Sequence, residues 1–278
     1  MNTFGMNLLL WGTEMDESMF PILEQIKEAG YGGVEVPVFD VNPSAWNAWR
    51  KQLDALELDR VAVTFNGAEH HQISSDPLVR KKTLERNKRA LECAKVMGAK
   101  FLTGPIHSAL CVFSGSSPNS HELDWAQENL YELAEYAKQL DLVIGLEYLN
   151  RFESYLVTSS EELIKLCASI NHPNCQLMFD TFHANIEEKN MSGAVESMGN
   201  RLVHVQVSEN DRGTLGKGHV DFKSVFQTLK KMNYEGMISV EAFSTKLAAA
   251  NIWRKTFSSE MELVKESIQF LKNIAHES

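Results

Sequence analysis

The sequence predicts an α/β protein folded as a single (β/α)8 TIM barrel over residues 1–278. Three observations predict it. Eight short apolar runs alternate with segments of helical periodicity. The runs are continuously apolar rather than alternating, as expected of strands buried on both faces of a parallel sheet. Eight such units in 278 residues fit a closed barrel better than an open doubly wound sheet.

In chain order the runs are residues 4–11, 33–39, 60–65, 101–106, 142–149, 175–182, 202–207 and 237–243. Between them, residues 16–29 place Met19, Ile22, Leu23 and Ile26 on one helical face before Gly30 stops the helix. A second helix runs from Pro77 to Met97 and ends at Gly98. Residues 122–140 carry Leu130, Leu133, Ala134 and Ala137 on the inner stripe. After the fifth run, Ser159 stands as an N-cap with Glu162 at capping-box spacing. The polar loops 70–76 and 108–121 both follow strands, so they are expected to overhang the active face of the barrel. No GxGxxG follows the first strand and no GxxxxGK[ST] occurs, so the dinucleotide and P-loop readings lose their usual support.

Hydrophobic residues make up 44% of the chain and charged residues 23%, the composition of a folded globular protein. Against 37 acidic residues stand 27 Lys and Arg, a net charge of −10. Such a field does not draw in nucleic acid or an anionic membrane, and neither is expected as a partner. There is no run of about 18 apolar residues, so no transmembrane helix is expected. The first residues lack a basic n-region and a cleavage site, so they read as mature protein rather than as a signal peptide. Cys93, Cys111, Cys167 and Cys175 include no CxxC pair. They read as reduced thiols of a cytoplasmic protein.

Catalytic groups of a barrel sit where strands end. Four consecutive runs end on polar groups: Glu147 in LVIGLEYLN, Asp180 in QLMFDTFH, Gln206 in LVHVQVSEN and Glu241 in MISVEAF. A carboxylate in an apolar strand is costly unless paired, hydrogen-bonded or metal-bound. One such acid is as readily a helix cap; four at matching depth point to a shared site. Three anionic oxygens and one neutral ligand suit Mn²⁺, Mg²⁺ or Co²⁺. His204 lies two residues deeper than Gln206 and reads as a hydrogen-bonded interior histidine. His70, His71 and His121 read as loop histidines, and Arg212 taken alone reads as a solvated loop charge.

At these residues the sequence resembles the ketose 3-epimerases, the D-tagatose and D-allulose (psicose) 3-epimerase family within the xylose-isomerase-like barrel group. The resemblance covers essentially the whole chain and is strongest in GLEYLNRFESYLVTS, FDTFHANIEE, SENDRGTLGKGHVDF and SVEAF. Separations of 33 residues from Glu147 to Asp180, 26 on to Gln206 and 35 on to Glu241 match those of the family's metal ligands. The resemblance implies a divalent metal on Glu147, Asp180, Gln206 and Glu241. It also implies a sugar held by Glu153, His183 and Arg212, and a homo-oligomer, dimer or tetramer. The family's third ligand is usually histidine; here it is Gln206. Glu147 and Glu241 are then the two opposed bases that invert C3 of a free ketose through an enediolate. The alternatives are an aldose–ketose isomerase on the same scaffold, an endonuclease-like hydrolase disfavoured by the net charge, and a sugar-binding barrel without catalysis.

Overall fold

The computed structural model describes residues 2–277. Eight strands form a closed, all-parallel barrel: β1 (Phe4–Asn7), β2 (Gly33–Pro37), β3 (Asp59–Val63), β4 (Phe101–Gly104), β5 (Val143–Leu146), β6 (Cys175–Asp180), β7 (Leu202–Val207) and β8 (Ile238–Val240). Each pairs with the next, and β8 closes on β1 through Phe4↔Ile238 and Met6↔Val240. The outer helices are α1 (Phe20–Ala29), α2 (Trp46–Ala55), α3 (Pro77–Met97), α4 (Ser120–Gln139), α5 (Ser160–Ile170), α6 (Thr181–Glu187), α7 (Met191–Met198), α8 (Phe222–Lys231) and α9 (Glu260–Glu277). The expected barrel is therefore present. Among the described residues no helix is long and apolar enough to cross a membrane.

All the strands but β7 are shorter than the apolar runs, and polar side chains end two of them. Asn7 accepts a hydrogen bond from the Leu9 amide and turns Leu8–Leu10 into a 3₁₀ turn. Asp180 accepts from the Phe182 amide and caps α6. Local capping also corrects one helix start and one capping partner. The true capping box is Asn119 with Glu122, which begins α4 at Ser120 rather than at residue 122. Ser159 does cap α5, but Glu162 accepts from the Thr158 amide and hydroxyl instead of the Ser159 amide. The helix faces pack as their periodicity demands: Leu23, Ile26, Leu130, Leu133, Ala134 and Ala137 are fully buried against the barrel.

One glycine sets the geometry of the mouth. Gly104 ends β4 at φ +121°, and its carbonyl accepts from the Glu147 amide. A methyl group on it would stand 2.1 Å from the Thr64 carbonyl oxygen. Gly104→Ala is therefore expected to lose at least about 2 kcal/mol of stability, since backbone conformation and space both oppose it. Urea unfolding measures this, and a variant as stable as the parent would show that the end of β4 relaxes freely.

Candidate active site

Two of the polar strand ends, Glu147 and Glu241, line one cavity of about 280 Å³. Asp180 pairs in register with Gln206, and Gln206 with Ser239, so their side chains share the interior face. Glu147 follows the last residue of β5 and Glu241 the last of β8; their amides donate to the Gly104 and Val207 carbonyls, which continues the ladder. Both glutamates line the cavity, and so do Glu153, His183 and Arg212. They approach it from strands three positions apart around the barrel.

Arg212 holds the acids together. It is 4% exposed, not the solvated charge that its loop position suggests. Its Nη1 donates to Asp180 Oδ2 at 2.7 Å, to Ser208 Oγ at 3.1 Å and to Glu241 Oε2. The rings of Phe182 and Phe243 lie 3.7 and 4.6 Å from its guanidinium carbon. They desolvate the charge while offering it their π faces. His183 is pinned at Nδ1 by the amide of Asn150 at 3.0 Å, so its Nε2 points inward, 3.4 Å from Glu147 Oε1 and 3.5 Å from Asp180 Oδ2. Asn150 Nδ2 also donates to Glu153 Oε1 at 2.8 Å, which ties Glu153 to the same cluster.

Burial sets the protonation of the site. Desolvation, then the charges of Glu241 and Asp180, hold the Glu147 carboxyl well above its ordinary range; Arg212 opposes them. Glu241 is likewise raised by burial, against the pull of Arg212. Asp180 rises too, for the same first reason, while Arg212 and the Phe182 amide hold it down. His183 is pushed well below its ordinary value by burial and then by Arg212, so its ring is neutral. Arg212 stays charged because the acids outweigh its own desolvation. Carboxyls that are costly to ionise together and free to exchange protons suit acid–base work.

The same residues fit a divalent cation. Glu147, Asp180 and His183 each present a ligand atom, all within 4.8 Å of one another. Gln206 is fully buried, and its Oε1 has no hydrogen-bond partner. Fully ionised, the carboxylates would outnumber the one guanidinium among them, an excess of negative charge that a cation would neutralise.

Three further residues belong to the site. Asn7 Nδ2 donates to Glu241 Oε1 at 2.9 Å. Glu35, fully buried on β2, accepts from Gln206 Nε2 at 2.8 Å. His204 is interior as expected, with Nε2 3.2 Å from Glu35 Oε2, but the two are not aligned as a hydrogen bond. The rule that singled out Glu147, a charge in an apolar strand, applies equally to Glu35 in GVEVP; looking only at strand ends passes over it. Asn150, in the LEYLN segment, is the third.

The rim differs from expectation in one respect. The 108–121 loop does reach the cavity through Leu110, and its Ala109 amide donates to His71 Nδ1 at 3.0 Å. Loop 70–76 thus supports its neighbour and does not line the cavity. Leu247, Ala250 and Ile252, from the segment after β8, also line the cavity. With Leu9, Val63 and Phe243 they make a small apolar cluster separate from the main core.

Comparison with known proteins agrees with this geometry. A family model described as a xylose isomerase-like TIM barrel matches residues 23–274. An L-ribulose 3-epimerase of Methylomonas sp. (strain DH-1) is 29% identical over 259 residues, covering 88% of this chain and 87% of the relative. A ketose 3-epimerase of Arthrobacter globiformis is 27% identical over 278 residues, covering 97% and 95%. The crystal structure of D-allulose 3-epimerase from Methylomonas sp. in complex with D-allulose superposes with a TM-score of 0.92 at 28% identity, over 98% of this chain and 96% of that one. Motifs, barrel and relatives agree, and the chain belongs to the xylose isomerase-like TIM barrel family.

Proposed function

We propose that this protein is a divalent-metal-dependent ketose 3-epimerase, an isomerase that inverts C3 of a free ketose. The observation that carries the reading is the pair Glu147 and Glu241. These two buried carboxyls enter one cavity from β5 and β8, and both are held above their ordinary range. Inversion next to a ketone needs a base on one face and an acid on the other. The ionised glutamate removes the C3 proton, giving an enediolate. The protonated glutamate then delivers a proton to the opposite face. The configuration of the substrate decides which begins.

The other side chains bind and orient. Arg212 and the inward Nε2 of His183 hold the oxygens nearest the carbonyl. Glu153, tied down by Asn150, orients the terminal hydroxyl. Glu147, Asp180, Gln206 and Glu241 would hold the ion, with Mn²⁺ or Mg²⁺ favoured and Co²⁺ also suited. When bound, it would draw charge from the ketone and make the neighbouring C–H more acidic. The names of the relatives support the substrate class. We further read residues 1–278 as one cytoplasmic domain, since its buried free thiols suit a reducing compartment. We read it too as a homo-oligomer, for which the exposed Leu123 and Tyr131 of α4 offer an apolar face.

Reaction in D₂O tests the mechanism. Both glutamates exchange their proton with water between turnovers, so the product ketose should carry deuterium at C3. Label at C1 or C2 with an aldose product would instead mark an aldose–ketose isomerase. No change in any ketose of a panel would mark a binding protein.

A further inference from the structure

We propose that Glu35 is a positioning residue: it holds the Gln206 amide so that its oxygen, and not its nitrogen, faces the carboxylate cluster. The inference rests on the reading of Gln206 as a metal ligand and adds a residue which that reading does not require.

A glutamine amide has two ends of nearly equal shape and opposite polarity. Only the oxygen can ligate a cation. On the two neighbouring strands Asp180 stands opposite Gln206 on one side and Ser239 on the other, with Glu241 two residues beyond Ser239. An ionised carboxylate is a hydrogen-bond acceptor only, so in the ionised, metal-binding state Asp180 and Glu241 by themselves would attract the NH₂ end and turn the oxygen away. An amide in this position therefore needs a stronger acceptor behind it.

Glu35 supplies that acceptor. Its Oε1 lies 2.8 Å from Gln206 Nε2, and both residues are fully buried, so no solvent competes. Reversing the amide would set two acceptor oxygens at the distance of a hydrogen bond. A hydrogen bond to a carboxylate is also about twice as strong as one between neutral groups. The Thr103 hydroxyl, which donates to the Ala62 carbonyl at 3.1 Å, stands 3.4 Å from the same Oε1 and packs Glu35 in place. With its nitrogen held by Glu35, Gln206 Oε1 is left buried without a hydrogen-bond partner.

The test is a double-mutant cycle read as Mn²⁺ affinity by titration calorimetry on the purified chain, independent of turnover. Glu35→Leu is expected to weaken Mn²⁺ binding about tenfold or more, the usual scale for a residue that orients a metal ligand. Gln206→Leu should also weaken it, and adding Glu35→Leu to Gln206→Leu should change nothing further. Equal loss in both backgrounds would show that Glu35 acts only through its charge and would overturn the proposal. Unchanged affinity in Glu35→Leu would overturn it too. Parental affinity in Gln206→Leu would remove residue 206 as a ligand, and a parent chain that binds no Mn²⁺ would remove the metal reading itself. Should circular dichroism show Glu35→Leu unfolded, Glu35→Gln keeps the shape of the side chain. Its smaller loss must likewise vanish in the Gln206→Leu background.

Discussion

Glu147→Gln and Glu241→Gln are each expected to slow epimerisation at least about 10²-fold, the ordinary contribution of a positioned acid or base. That corresponds to about 2.7 kcal/mol on the barrier. Glutamine keeps the shape of the side chain but can neither take the C3 proton nor give one. The two losses have different signatures. With one carboxyl left, one of the two epimers still presents its C3 proton to a base. That variant should exchange the proton for deuterium from D₂O without inverting the carbon. The other epimer should do neither. Each glutamate is also a proposed metal ligand, so metal content must be measured beside the rate. A metal-loaded double variant that still epimerises would overturn the two-base mechanism while leaving the barrel untouched.

Exhaustive chelation is expected to abolish turnover, and Mn²⁺, Mg²⁺ or Co²⁺ to restore it. The physical reason lies in the charge of the cluster. Glu147, Asp180 and Glu241 are buried with a single guanidinium among them. Without a cation, burial and mutual repulsion favour protonated carboxyls, which cannot act as bases. Metal removal should therefore lower stability as well as rate. An ion present at a hundred times its dissociation constant adds about 2.7 kcal/mol to the folded state. Calorimetric melting should show the chelated protein unfolding several degrees lower. Full activity in rigorously metal-free protein would sink the metal assignment.

The fold, and the acids proposed for the site, could be read from the chain because each depends on local chemistry. An apolar run between helical periodicities is a buried strand wherever it occurs, and Glu147, Asp180 and Glu241 stand out because charge in such a run is costly. Those three and Gln206 were found by position alone. His183, Arg212 and Glu153 came from motif resemblance, since nothing in their own segments sets them apart from loop residues. The first strand ends at Asn7, short of the apolar run, because its side chain accepts the Leu9 amide and turns the chain, a local bond that hydrophobic pattern does not show.

What the sequence determined by itself was the barrel, the order of its strands and the identity of the acids at their ends, because hydrophobic period and the cost of buried charge act over a few residues. Only the tertiary structure decided which groups meet. Glu35 and Gln206 are 171 residues apart in the chain, and Asn7 and Glu241 are 234 apart. Arg212 joins Asp180 to Glu241 because its loop folds back between two aromatic rings. The wall of Leu247, Ala250 and Ile252 faces the cavity because β8 closes on β1. Such contacts follow from closure of the sheet, a condition on all eight strands at once that no single segment carries.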